Sequence, residues 1–189
     1  MKIDKRLNLV VEVERADGVM IHIHSTPINR QIYERHYTFI SKALTSLYAD
    51  GMAPGACSRI AFLRMKELAE TERERFNNVE QTLFAEIWRL TNVSVPTDRG
   101  WEQVPFFEVM NDTRHMDADD VAEVQNLICF FTLGSWVHGR QERQGMYDLL
   151  TQNGVLTTPL PFTEYHRSLP ISKTGASSGE TEILSSIPV

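Results

Sequence analysis

Cysteine is scarce, with two in 189 residues, and that scarcity excludes the disulfide framework that staples small secreted domains. Cys57 and Cys129 each fall within an apolar helical pattern, where a small buried thiol is the expected role. Long apolar runs are lacking as well, the longest being too short and too interrupted to span a bilayer. Lys2, Asp4, Lys5 and Arg6 lead directly into alternating sequence, so no signal peptide is expected and a reducing cytoplasm is the expected setting. A basic face is missing too. The net charge of −6 argues against a nucleic-acid binder, which needs cations to displace the counterions around phosphate. Basic residues between Arg64 and Arg75, and in RQER from Arg140 to Arg143, are interleaved with acids and read as solvated helix faces.

Catalytic and ligand-binding signatures are absent in their turn. The GMAPGA segment is no phosphate cradle, because Ala56 and Cys57 stand where a P-loop needs lysine followed by serine or threonine. DTRHMDADD, from Asp112 to Asp120, gathers acids around His115 but lacks the glycine and the bidentate glutamate of a calcium loop. Glu80 and Glu86 lie at the polar edge of a helix with no cleft between them to split their pKa values, so they are expected in solvent. His22 and His24 form an HxH pair on one strand face, a known way to hold zinc, yet no third ligand stands at a recognisable spacing. They are expected on the solvent side of the strand. No cofactor, no metal and no enzymatic activity are expected.

What the chain does contain is a long buried helix. DADDVAEVQNLICFFTLGSWVHGR, Asp117 to Arg140, has an acidic start, an apolar middle and a basic exit. Asp117 is placed to cap the free N–H groups, and Asp119, Asp120 and Glu123 suit the positive end of the helix dipole, as His138 and Arg140 suit the other end. Val121, Val124, Ile128 and Phe131 share one face while Cys129, Phe130, Leu133 and Trp136 make much of the rest apolar, which places this helix inside the fold.

Around it the chain alternates between two periods. Leu7 to Val13 and Val19 to His24 alternate apolar with polar residues across a turn at Ala16-Asp17-Gly18, and predict a β-hairpin. Asn29 caps a predicted helix from Arg30 to about Ala49, buried along Ile32, His36, Phe39, Ala43 and Leu47 and ended by Asp50-Gly51. A second helix is predicted from Ser58 to about Arg75, and a third along Val79, Leu83, Ile87 and Leu90. A short helical piece follows the central helix in MYDLLTQ and stops at Asn153-Gly154.

Two segments break the pattern. Asn92 to Asn111 is punctuated by Pro96, Asp98 and Gly100 and reads as a loop, with Pro105 at the first turn of a short helix. Its Trp101, Phe106, Phe107, Val109 and Met110 either fold back over the core, the favoured reading, or form an exposed apolar patch that binds a partner. From Val155 serine, threonine, proline and glycine make up about half of the residues, and the segment is expected to be a disordered tail, in the first place a spacer, whose short apolar beads, PLPF and SLPI, are of the kind a partner orders on binding. The expected organisation is α+β. A β-hairpin and a bundle of about five helices occupy 1–153, and the tail occupies 154–189.

STPINRQIYERHYTFISKALTSLY, VEQTLFAEIWRLTNV, GWEQVPF and MDADDVAEVQNLICFFT, in that order and ahead of a Ser/Thr/Pro-rich end, resemble the tail assembly chaperones of long-tailed, siphovirus-type bacteriophages. The resemblance spans roughly residues 7 to 150. It implies a non-enzymatic protein of the host bacterial cytoplasm, absent from the mature virion, that binds the tail tape-measure protein, keeps its apolar helices soluble and recruits the tail-tube protein. It also implies a longer, frameshifted form of the chain as a further partner, with the tail as its tether. A structural virion protein of the tail or connector is the alternative. A holdase needs apolar surface and enough charge to stay in solution. The candidate partner-binding residues are Trp101, Phe106, Phe107 and Met110, extended by Trp136.

Overall fold

The computed structural model describes residues 7–170, apart from Ala16, Asp50, Met52, Thr113, His138, Gly139 and Asn153. Their architecture is α+β: an antiparallel sheet with a layer of helices on one face. The predicted hairpin is present as β1 (Asn8–Glu14) and β2 (Met20–Ser25), paired from Leu9 opposite Ser25 to Glu14 opposite Met20. In that register Leu9, Val11, Ile21 and Ile23 point to one face and are almost fully buried there. Successive side chains alternate across the pleat, so Val10, Glu12, His22 and His24 point to the other.

Local signals set the helices. The Asn29 side chain accepts the Ile32 N–H at 2.9 Å and opens α1 (Arg30–Ala49), and Gly51, with φ 67°, takes the left-handed conformation beyond its end. The next helix, α2 (Pro54–Thr71), starts earlier than predicted. Pro54 opens it, as the missing proline N–H costs nothing in a first turn, so part of the segment read as a loop is helical. The stripe of Val79, Leu83 and Ile87 is buried along a π-helical stretch (Glu80–Phe84) that continues into α3 (Ala85–Arg89). Asp117 caps α5 (Ala118–Val137) as predicted, accepting the N–H groups of Asp119 and Asp120 at 2.9 and 2.8 Å. Leu127 to Leu133 of α5 are nearly all inaccessible, and α2 packs along it with α1 beside both. His138 lies outside the described residues.

The stretch from Asn92 to Asn111 is not a loop. It forms β3 (Thr91–Thr97), β4 (Gly100–Pro105) and α4 (Phe106–Val109), and β3 joins β2 from His22 opposite Ser94 to Ser25 opposite Thr91. Proline ordinarily argues against a central strand because it cannot donate to the ladder. Here β2 pairs with β3 only as far as Ser94, so Pro96 has β4 alone as neighbour and no lost bond on its other side. Gly100, at φ 120°, turns β3 into β4 in a conformation that side chains rarely adopt.

The boundary at 153 is corrected as well. After α6 (Arg140–Gln152), Val155 is buried, β5 (Leu156–Thr158) pairs with β1, and α7 (Phe162–Ser168) follows. The segment has too little apolar content to fold alone, but the free edge of β1 supplies its backbone partners. The sheet order is β4-β3-β2-β1-β5. Residues 171–189 lie outside the described residues. No helix of the described residues is long and apolar enough to cross a membrane.

Candidate functional site

The five aromatic and methionine candidates do not form one surface. Phe106 is 0% exposed and packs its ring 5.6 Å from Trp88, which lies 5.4 Å from Phe62. It is core. Phe107, the next residue, is 49% exposed, and Met110 is half-buried with its sulfur accepting a hydrogen bond from Gln125 of α5. These three residues stand at α4, on the helical side. Trp136 is elsewhere, stacked on Tyr33 of α1. Trp101 sits on the opposite, outer face of the sheet, edge-on to His22 with ring centroids 5.1 Å apart. Of the candidates Phe107 has the side chain most available to a partner, and Leu63, next to Phe62 in sequence, is 59% exposed.

That outer face carries a connected set of polar and aromatic contacts. The HxH pair is not in solvent: His24 is 0% exposed. The segment after β5 crosses above it, so that Phe162 and Tyr165 each place a ring centroid 5.6 Å from the His24 ring. His24 Nε2 lies 3.0 Å from the Leu160 carbonyl oxygen, which also accepts the Asn8 side-chain N–H at 2.7 Å. The carbonyl can only accept, so Nε2 carries the imidazole proton, and Nδ1 is left as a buried nitrogen with no partner.

Further contacts tie the same segment down. Tyr165 Oη lies 3.1 Å from His22 Nδ1, which is also 3.3 Å from a carboxylate oxygen of Glu12. Ser94 Oγ of β3 meets His166 Nδ1 at 2.8 Å, and Trp101 Nε1 donates to the Pro170 carbonyl at 2.7 Å. Burial lowers the pKa of both His22 and His24, in the first case against the raising effect of Glu12. Burial likewise pushes the Tyr165 hydroxyl up to about 12, with the Glu12 charge adding to the rise. A cavity of about 390 Å³ opens at the end of this arrangement, lined among others by Glu12, Met20, His22, Pro96, Trp101 and Pro170.

His22 and His24 are thus occupied by protein groups, and no cluster of three or more His, Cys, Asp or Glu among the described residues is arranged to hold a metal ion. Glu86 is bound by Arg89 through two contacts of 2.6 and 2.8 Å, which lowers its pKa and makes it an ion-paired helix residue. Asp112 is engaged in the same way by Arg114.

Glu12, Ser94, Tyr165 and His166 were not singled out by the sequence. PLPF, read as a spacer or as a bead that a partner orders, stands just ahead of Tyr165 and His166, and its Phe162 packs on His24 of this sheet. No family model, curated protein or solved structure matches the chain.

Proposed function

We propose that this protein is a tail assembly chaperone of a long-tailed bacteriophage, which binds the tape-measure protein, keeps it in solution and helps recruit tail-tube subunits. What supports the reading is the ordered set of segments resembling that family, from STPINRQIYERHY to MDADDVAEVQNLICFFT, carried here on an α+β scaffold. A single structural observation fits it best. Phe106 and Phe107 are adjacent, yet one is wholly buried and the other is 49% exposed, so α4 is anchored by the first and presents the second. An exposed aromatic on an anchored turn is apolar surface that an apolar helix of a client can cover. The net charge of −6 favours solubility while that surface is open. The host cytoplasm is the setting this role requires.

Co-expression with the tape-measure protein of the same genome tests the proposal. Soluble co-elution in size-exclusion chromatography, together with absence of the chain from purified virions, is the expected result. Failure to form a complex, with the chain present in virions, would overturn it in favour of a structural subunit of the tail or connector.

A further inference from the structure

The segment from Pro159 to Pro170 has an unusual hold on the protein. None of the residues of α7 is buried, and Phe162, Tyr165 and His166 are only half-covered. A stretch with so little apolar burial gains little from the hydrophobic effect, which scales with the area removed from water. Its attachment therefore depends on directional contacts: Leu160 O on Asn8 and His24, Tyr165 on His22, His166 on Ser94 and Pro170 on Trp101. Three of these five anchor points involve an imidazole.

We propose that residues 159–170 are a strap closed over the outer face of the sheet by His22 and His24 in their neutral form, His24 above all, and that protonation of these two in mildly acidic solution opens it and uncovers that face.

The chemistry follows from the two nitrogens of His24. Nε2–H is already given to Leu160, so a second proton must go to Nδ1, which is enclosed and makes no hydrogen bond in the closed form. A charged imidazole enclosed beneath Phe162 and Tyr165 is costly, and lifting the strap lets water solvate it. His22 acts in the same direction on the strap. In the neutral tautomer whose Nδ1 is bare, that nitrogen accepts the Tyr165 hydroxyl; once protonated, Nδ1 donates to Glu12, and the hydroxyl loses its acceptor.

Every element around the strap bears on this balance. Glu12 of β1 is the carboxylate beside His22 and favours its charged form, whereas β2 contributes both imidazoles. From β3, β4 and β5 the facing groups are uncharged, among them Ser94, Trp101 and Leu156. α7 itself brings Tyr165 and His166, with Glu164 and Arg167 as its further charged residues.

The sign is fixed by the lowered imidazole values. Closure is fully favoured above the free histidine range and weakens as the pH falls through it toward the depressed value of the closed form. Each pH unit in that window weakens closure by up to about tenfold for each histidine whose proton the closed form refuses. This behaviour is a property of the strap and holds whether or not the chain is a chaperone.

Hydrogen exchange of the full chain, corrected for intrinsic rates, at pH about 7.5 and about 5.5 tests it on either side of the free imidazole range. Amides of 162–168 are expected to lose protection at the lower pH while those of α5 keep theirs, with the emission of Trp101 shifting to the red. His24→Gln retains a side-chain N–H for Leu160 but does not titrate, and is expected to keep the strap protected at both pH values. Equal strap protection at both pH values would overturn the proposal, as would a parallel loss throughout α5 or an unchanged pH response in His24→Gln. If that variant does not fold, the imidazole NMR titration of the unaltered chain decides. A His24 midpoint that coincides with strap opening supports the latch, and one that lies apart from it refutes it.

Discussion

Trp136 stacks face to face on Tyr33, with ring centroids 4.9 Å apart and planes 9° from parallel, and its indole N–H donates to the Ile28 carbonyl at 2.9 Å. The pair ties the end of the central helix to the first turn of α1 and to the segment that leads out of the hairpin. A tryptophan committed on its face and at its nitrogen is a structural clamp rather than a free binding side chain.

Trp136→Ala is expected to lower stability by about 2–4 kcal/mol, below the range for a fully enclosed aromatic because the ring keeps part of its surface in water. Trp136→Phe keeps a ring on Tyr33 but leaves Ile28 without the indole donor, for a smaller loss of about 1 kcal/mol. Urea denaturation of the three proteins checks the order. A Trp136→Ala protein as stable as the original would show that the stack contributes nothing.

Asn126 gives a second test of the helical layer. It is buried in α5, its side-chain oxygen accepts the Phe62 N–H of α2 at 2.9 Å, and its amide nitrogen donates to the Ala122 carbonyl at 2.8 Å. Replacing it with alanine or leucine removes this tie between α5 and α2, and the loss of such a hydrogen bond costs about 1 kcal/mol. Leucine is not expected to recover the loss through its added apolar area. Chemical denaturation of both variants measures this, and full stability in Asn126→Leu would contradict it.

The caps and periodic stripes were legible because their causes are local. Asn29 and Asp117 bond N–H groups within three residues, and the burial of Val79, Leu83 and Ile87 follows from helical spacing alone. The strands from Thr91 to Pro105 were not, because Pro96 and Gly100 carry the same signature in a hairpin as in a loop. What distinguishes them is the length of the neighbouring β2, which Asn92 to Asn111 does not contain. His24 is the clearest case: its cover comes from Leu160, 136 residues later, in a stretch whose composition resembles a disordered tail. An HxH alternation fixes which face a side chain takes and not whether that face is covered.

The two cysteines are expected to be silent to a thiol reagent in the native protein. Cys57 and Cys129 are both fully buried, Cys57 lies 3.3 Å from the Leu47 carbonyl, and burial raises the pKa of each thiol, strongly for Cys129. Only the thiolate reacts readily, so both enclosure and pKa slow the reaction. Modification by a chromogenic disulfide at neutral pH should remain negligible until denaturant is added, when both sites react. Rapid labelling of Cys129 without denaturant would show that α5 is not the enclosed centre of the fold.

The adjacent phenylalanines separate binding from folding. Phe106→Ala empties a fully enclosed site beside Trp88 and is expected to cost about 3–5 kcal/mol. Phe107→Ser alters an exposed ring and is expected to change stability by no more than about 0.5 kcal/mol. If Phe107 meets the tape-measure protein, the second variant retains its melting temperature yet recovers less of that protein in soluble co-expression. Leu63→Ser, at a more exposed residue on a different helix, measures whether the contact extends beyond α4. A Phe107→Ser protein that folds and holds the client as well as the original would remove α4 from the binding surface and leave the chaperone proposal without its structural support.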